Sequence, residues 1–336
     1  MNTLNIYPYN KKGAKQHNKI NTLESYLSHF WNRPALIISS ARVSLYETLN
    51  FFGLNRSNHI LVPDFICQSI LNILNQNSFP VKIPDSRTTA VLVFHQWGYP
   101  QKMSLVLPEA IRRKLLIIED CAHSLDSLYQ GKPIGSFGVA SIFSFAKILP
   151  TYLGGAITTN NQNLLDHLNQ VRQAKNNFTD HLFNLVSWII AKRSFNYGHG
   201  RYWLNSIYLE SIHHPNIKKS ALNLFPPNLA QLIDIQNRRR ANYTRLRDQI
   251  KSQYLIPDHD KDINPNPICI PVFLEEAQQL IVQKKLRLKN IELEILHFDI
   301  NRNIFQPDYR RCLAVPTHHN LPTTALEIIY KTINQS

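Results

Sequence analysis

Six short apolar runs, spread over the first half of the chain, constrain the fold more than any other feature. They are HILVP (59–63), FPVKIP (79–84), TAVLVFH (89–95), KLLIIED (114–120), VASIFSF (139–145) and GGAITT (154–159). Several are continuous rather than alternating, as strands covered on both faces of a sheet are. Helical patterns lie between some of them: SARVSLYETLNFFG at 40–53 and CQSILNILNQ at 67–76. Strands alternating with helices predict an α/β domain on a mainly parallel central sheet. The pattern changes near 225–235, where the prolines of FPPN interrupt any helix. Beyond it come a long amphipathic helix (228–250), ICIPVFL, a helix through EEAQQLIVQKKLRLK, IELEILHF and a closing helix TTALEIIYKTI. The expected organisation is a large α/β domain over 1–228, with an N-terminal arm of about 1–30, and a small C-terminal α+β domain over 229–336.

Composition narrows the class. A chain of 336 residues with 43% hydrophobic content can bury a substantial core. No run approaches the roughly 18 consecutive apolar residues of a membrane span. LFNLVSWIIAKR (182–193) is shorter, carries an Asn and reads as a buried or dimer-facing helix. The amino end lacks the apolar core of a signal peptide, so a cytoplasmic protein is expected. The four cysteines are scattered without a C-x-x-C pair, which points to neither zinc nor a disulfide framework. Cys67 and Cys121 sit in apolar contexts and read as buried thiols. The net charge of +14 falls in short clusters, RRK (112–114), RRR (238–240) and KKLRLK (284–289), rather than one stripe. They read as a basic solvated surface, or a field that attracts a phosphorylated small molecule. Nucleic acid is not expected as a partner, because no recognisable module interleaves aromatic and basic residues.

Only ten glycines occur, and six of them fall between 98 and 155. Glycine permits close approach of backbone to a ligand, so this window is the expected site. In LLIIED a carboxylate pair ends a strand, where open α/β sheets bind ligands. Glu119 and Asp120 point to opposite faces, so only one enters the crevice. Asp120 there could hold a ribose hydroxyl, a metal or a protonated ring nitrogen, or simply cap the turn that follows. Ser40 is a good N-cap for a helix with Val43, Leu45, Leu49 and Phe52 inward, and a helix amino end accepts phosphate. Lys147 lies just after an apolar strand. It is either a snorkelling side chain or a desolvated amine able to form a Schiff base. A phosphate grip, a carboxylate for a ring nitrogen and a lysine together suit pyridoxal 5'-phosphate.

These stretches resemble the DegT/DnrJ/EryC1/StrS sugar aminotransferase family, a branch of fold-type I pyridoxal-phosphate enzymes. The resemblance is carried by SARVSLYETLNFFGL…HILVPDFIC, HQWGYP, IIEDCAHSLDSLYQGKPIGSFGVASIFSFAKILPTYLGGAITTN, RRRANYTRL and LAVPTHHNL, in family order. It implies that Lys147 carries the cofactor and moves the proton, that Asp120 keeps the pyridine nitrogen protonated, and that His123 lies near the ring. It also implies cofactor-phosphate contacts from Ser144 and from the backbone N–H groups of Arg42 and Val43. The implied reaction moves an amino group from glutamate to a keto group of a nucleotide-linked sugar, in polysaccharide or surface-carbohydrate biosynthesis, within a homodimer. Four features depart from the commoner form. Ser144 and Lys147 are separated by only two residues, as in a less typical S-x-x-K-x-L-P branch that SFAKILP fits. Cys67 stands where an aromatic usually stacks on the ring, and Leu153 where an acidic residue usually precedes Gly-Gly. The partner-subunit phosphate segment has no clear counterpart near 215–228. A catalytically altered member acting as a binding or regulatory protein is the second reading.

Overall fold

The computed structural model describes residues 19–149, 151, 154–173, 185, 229–256 and 262–336. Residues 1–18, most of 182–193 and the expected boundary at FPPN lie outside the described residues. In chain order, the first elements are α1 (Lys19–Trp31), β1 (Ala35–Ile38), α2 (Ala41–Phe51), β2 (His59–Leu61), α3 (Gln68–Asn77), β3 (Phe79–Val81) and β4 (Thr88–Phe94). Next come α4 (Met103–Arg112), β5 (Leu116–Asp120), β6 (Leu128–Tyr129), β7 (Lys132–Pro133), β8 (Ala140–Ser144), β9 (Gly155–Thr158) and α5 (Gln162–Gln173). The C-terminal part contributes α6 (Leu229–Gln249), β10 (Ile263–Asn264), β11 (Cys269–Val272), α7 (Glu276–Arg287), β12 (Glu294–Asp299), β13 (Tyr309–Pro316) and α8 (Thr323–Asn334).

A seven-stranded sheet in the order β1-β9-β8-β5-β4-β2-β3 organises the large part. The pairings from β3 through β8 are parallel, and β9 runs antiparallel to both β8 and β1. This is an α/β fold on a mostly parallel sheet, as the apolar runs predict. The period of two along each strand explains why those runs are continuous. Ile60, Ala90, Leu92 and Ile118 pack with α2 and α3 on one face. Leu61, Val91, Val93 and Ile117 pack with α4 on the other. Every side chain has a helix to meet, so no polar alternation is needed.

The C-terminal part builds a three-stranded antiparallel sheet, β11-β13-β12, against α7, and α8 packs on α7 and α6. Its apolar residues merge with Leu27 and Trp31 of α1 and Phe143 of β8 into one cluster. The turn at 95–100 (HQWGYP) joins the two parts. The Ile268 N–H donates to the Trp97 carbonyl at 2.8 Å, and Lys102 N–H to the Arg302 carbonyl at 2.7 Å. Gln96 donates to the His297 carbonyl and accepts from the Asp299 N–H. Gly98 has φ +96°, and a Cβ there would lie 2.9 Å from the Pro267 Cα, so only glycine lets the parts meet so closely.

Two readings of single residues are corrected. Cys67 is exposed at the amino end of α3, although Cys121 is buried as expected. The run before α3 turns outward, and its apolar neighbours do not cover the thiol. The RRR cluster is not a surface patch. Arg238 is exposed and pairs with Asp234, Arg240 pairs with Asp126, and Arg239 is buried at 1% exposure. Successive helical residues point about 100° apart, which sends the three guanidinium groups to different surroundings.

Candidate active site

The carboxyl ends of β5 and β8 converge on one set of polar side chains. Glu119 and Asp120 end β5 facing opposite ways, as strand alternation requires. Glu119 is fully buried and does not enter the crevice. It accepts N–H groups from Gly135 (2.9 Å), Phe137 (2.7 Å) and Gly138 (2.7 Å), the Ser141 hydroxyl (2.9 Å) and His95 Nε2 (3.0 Å). Burial alone would raise its pKa. The His95 contact and the loop N–H groups outweigh that and bring it below the usual value. Arg33 holds the same loop from its carbonyl side, donating to Gly135 and Gly138 at 2.9 and 3.0 Å. The G-K-x-x-G-S-F-G segment is thus gripped by its N–H groups and its carbonyls together.

Asp120 faces the other way. Its Oδ1 accepts the Ala122 N–H at 3.0 Å, so it does cap the turn, as the structural alternative held. A proton on Lys147 would pull its pKa down, against a larger upward push from burial. The net rise marks a carboxylate whose charge has too little compensation in the protein, which suits a cationic or N–H ligand.

The turn fixed by Asp120 carries His123, which is buried and packs edge-on against Phe94 at 5.1 Å. Its Nδ1 accepts the Trp97 N–H at 3.0 Å, and its Nε2 lies 2.9 Å from Lys147 Nζ. A neutral imidazole has one acceptor nitrogen and one N–H. The Trp97 N–H claims the acceptor, so Nε2 carries the hydrogen and faces Nζ. Only an unprotonated amine can accept it. Burial holds the His123 pKa well below its usual value, a proton on Lys147 would push it further down, and Arg239 adds to that, which keeps the ring neutral. Trp97 reaches this geometry with φ +57°, a left-handed conformation uncommon for a non-glycine residue. Strain of this kind collects at functional sites.

Lys147 ends a short 3-10 turn (Phe145–Lys147) that follows β8 directly. Ser144, the last residue of β8, pairs with Gly155 across the antiparallel ladder. A Cβ on Gly155 would lie 2.5 Å from the Ala41 N and 2.6 Å from the Ser40 carbonyl carbon. The Gly-Gly pair therefore lets the amino end of α2 approach the strand that carries Ser144. Ser40 caps α2 as expected, with its hydroxyl accepting the Val43 N–H at 3.3 Å. Val43 is buried and Arg42 half-buried.

His123 and Lys147 thus meet directly, with Asp120 within electrostatic reach of Lys147, while Ser144 and the Ser40–Val43 helix start meet through Gly155. The sequence reading did not single out Trp97, Glu119 as the loop anchor, or Arg239. Arg239 had a legible signal. Leu232, Gln236, Arg239, Tyr243 and Leu246 are the buried residues of α6, spaced at helical intervals.

Comparison with known proteins bears on the whole arrangement. Residues 10–185 match the model of the DegT/DnrJ/EryC1/StrS aminotransferase family. GDP-perosamine synthase of Escherichia coli is 28% identical over 152 residues, covering 39% of this chain and 42% of the relative. dTDP-3-amino-3,6-dideoxy-alpha-D-galactopyranose transaminase of Aneurinibacillus thermoaerophilus is 40% identical over 107 residues, 30% of each chain. The matched stretches span less than half of either relative. A solved DegT DnrJ EryC1 StrS aminotransferase from Brucella abortus superposes with a TM-score of 0.71 at 16% identity, covering 94% of this chain and 89% of that one. Fold, family match and strand-end geometry agree: the chain belongs to the DegT/DnrJ/EryC1/StrS aminotransferase family.

Proposed function

We propose that the protein is a pyridoxal-phosphate-dependent aminotransferase that converts a nucleotide-linked keto sugar to an amino sugar. The observation that carries this reading is the contact of His123 Nε2 with Lys147 Nζ at 2.9 Å beside buried Asp120. The residues present fit the cofactor. Asp120 would hold its ring nitrogen, Lys147 would bind it covalently, and His123 would lie near the ring. Ser144 and the backbone of Arg42 and Val43 would receive its phosphate at the amino end of α2, where N–H groups and the helix dipole favour an anion. When bound, the cofactor supplies an electron sink for the carbon whose proton is moved. Lys147 would deliver and remove that proton, and half-buried Phe94 with buried His123 and Trp97 would exclude water.

The substrate class is supported by the relatives, both named for nucleotide-linked amino sugars. A formal charge of +14 suits a diphosphate-bearing substrate. Glutamate as amino donor, a homodimer, a cytoplasmic location and domains over 1–228 and 229–336 complete the proposal. Among the described residues no helix is long and apolar enough to cross a membrane. Exposed Cys67, where an aromatic usually stacks, favours the second reading of an altered family member that binds without transaminating.

The test is an absorbance spectrum of the protein with pyridoxal phosphate, followed by borohydride and peptide mapping. The proposed function requires yellow cofactor fixed on Lys147 and bleached by glutamate. A folded protein saturated with cofactor that fixes none refutes it.

A further inference from the structure

Arg239 is a buried cation with no ion-pair partner of its own among the described residues. It projects from α6 toward the segment that carries Lys147, and its Nη2 donates to the Ile148 carbonyl at 2.9 Å. Its Nε and Nη1 are buried with no hydrogen-bond partner among the described residues. Asp126 is the carboxylate whose charge favours its protonated form. Both Asp126 oxygens are engaged elsewhere, with Asn266 at 2.9 Å each and with Arg240 at 3.0 Å. Desolvation pushes the guanidinium down to about 10, so it stays charged at neutral pH. An uncompensated buried charge is costly, and a fold keeps one where the charge has a use.

The use is set by what lies beside it. Arg239 is close enough to His123 to disfavour a proton there. Through Ile148 it also pins the backbone directly after Lys147. The Trp97–His123–Lys147 chain has room for one hydrogen between His123 Nε2 and Lys147 Nζ. A second proton on either nitrogen would set donor against donor. The charged groups around the pair oppose one another. Asp120, at the end of β5, attracts a proton to Lys147, and His95 acts on Asp120 from behind. Arg239, from α6, repels a proton from the His123 side of the pair. Asp120 alone would favour an ammonium, and the buried guanidinium is the counterweight.

We propose that Arg239 is a positioning residue for the reacting amine: it anchors the Ile148 carbonyl and holds the His123–Lys147 pair at a single shared hydrogen, so that Lys147 stands as a neutral nucleophile. This deepens the reading of Lys147 as the reacting amine, but it concerns the protein before any cofactor binds.

The experiment uses the full chain stripped of cofactor. Trace acetylation by acetic anhydride is measured by mass spectrometry from pH 6 to pH 11, giving each lysine a midpoint that does not depend on its accessibility. Lys82 and Lys331, with side chains 65% and 62% exposed, are the references. Lys147 is expected to show a midpoint about two units below theirs. Arg239→Gln retains a donor for Ile148 but removes the charge, and should raise the Lys147 midpoint by about one unit. Arg239→Lys, which keeps a cation, should restore most of that shift. A wild-type Lys147 midpoint equal to the references overturns the proposal without any variant. An unchanged midpoint in folded Arg239→Gln overturns the role of Arg239. Borohydride fixation of cofactor is read separately, so a failed midpoint with successful fixation leaves the proposed function standing, and the reverse result removes only that function.

Discussion

Glu119→Gln tests the buried knot under the site most directly, because the substitution changes charge and hydrogen-bond polarity with almost no change of shape. The carboxylate accepts on both oxygens. Oε1 takes the Phe137 and Gly138 N–H groups and the Ser141 hydroxyl, and Oε2 takes Gly135 N–H and His95 Nε2. A glutamine replaces one acceptor with an NH2 donor. With NH2 on the Oε2 side it faces Gly135 N–H and His95. His95 cannot change tautomer without cost, because its Nδ1 accepts the Gln101 N–H at 3.1 Å. With NH2 on the Oε1 side it faces Phe137 and Gly138, and only the Ser141 hydroxyl can rotate to accept. Either way two buried donors are stranded, at about 1–3 kcal/mol each, so the expected loss is about 2–6 kcal/mol. Arg33 also loses the negative charge that favours its own buried cation. Guanidinium unfolding followed by tryptophan fluorescence reads the loss. Trp31 is a suitable reporter, since it stacks on Phe143 at 3.9 Å. The pH dependence gives a second arm. The folded pKa of Glu119 is lowered, so its contribution is present above the unfolded value and is lost as pH falls through the folded one. Wild type should lose that contribution in acid and the variant should not. A loss below about 1 kcal/mol, with the same acid sensitivity in both proteins, would show that the network does not hold the loop.

Other expectations follow from the same geometry. Lys147→Ala should fold, bind cofactor without covalent fixation and leave no borohydride-labelled peptide. Asp120→Asn should still fix cofactor on Lys147 yet slow the glutamate half-reaction by about 100-fold or more, read by stopped-flow absorbance. His123 is depressed far below its ordinary pKa by burial and by Lys147 and Arg239, so it is neutral when folded but takes up a proton in the unfolded chain below about pH 6.5. Stability should therefore fall as pH drops from 6.5 toward the folded value, and denaturation at pH 7.5 and 5.5 should show a smaller drop in His123→Gln. Gly155→Ala places a methyl 2.5 Å from Ala41 N and 2.7 Å from the Phe143 carbonyl oxygen. It should cost about 1–3 kcal/mol and weaken phosphate binding at the start of α2, read by thermal unfolding and cofactor titration.

The parts of the fold that sequence makes legible are those with one strong period. TAVLVF and LIIED read as strands because helices cover both faces, and α2, α3 and α6 read as helices because apolar residues recur on a helical period, although the buried stripe of α6 also carries Gln236 and Arg239. β1 was harder to see. Its four residues, ALII, are too short to separate from a loop between Pro34 and Ser39. β13 opens with Tyr309, Arg310 and Arg311, which pair with β12 on one side only, are partly exposed and mask the buried LAVP that follows. Asp120, His123 and Lys147 were legible as parts, because each residue type suits one task at a strand end. Their direct contact was not, since it depends on a backbone N–H from Trp97, and no side-chain pattern encodes a peptide's orientation. Arg239 was misread for a simpler reason. Three consecutive arginines suggest a surface, and only the helical spacing of its neighbours reveals that the middle one faces inward.

The left-handed residue Trp97 has a consequence for engineering. Its amide hydrogen sets the tautomer of His123, while its carbonyl receives the Ile268 N–H from the C-terminal part. One amino acid therefore reports to the His123–Lys147 pair on one side and to the small sheet on the other. Exchanging C-terminal segments between relatives to alter substrate choice would not be a neutral transplant. A graft that shifts Pro267–Ile268 against the Gly98 turn would also reset a proton position, so the crossover belongs upstream of α6 or must carry this junction with it.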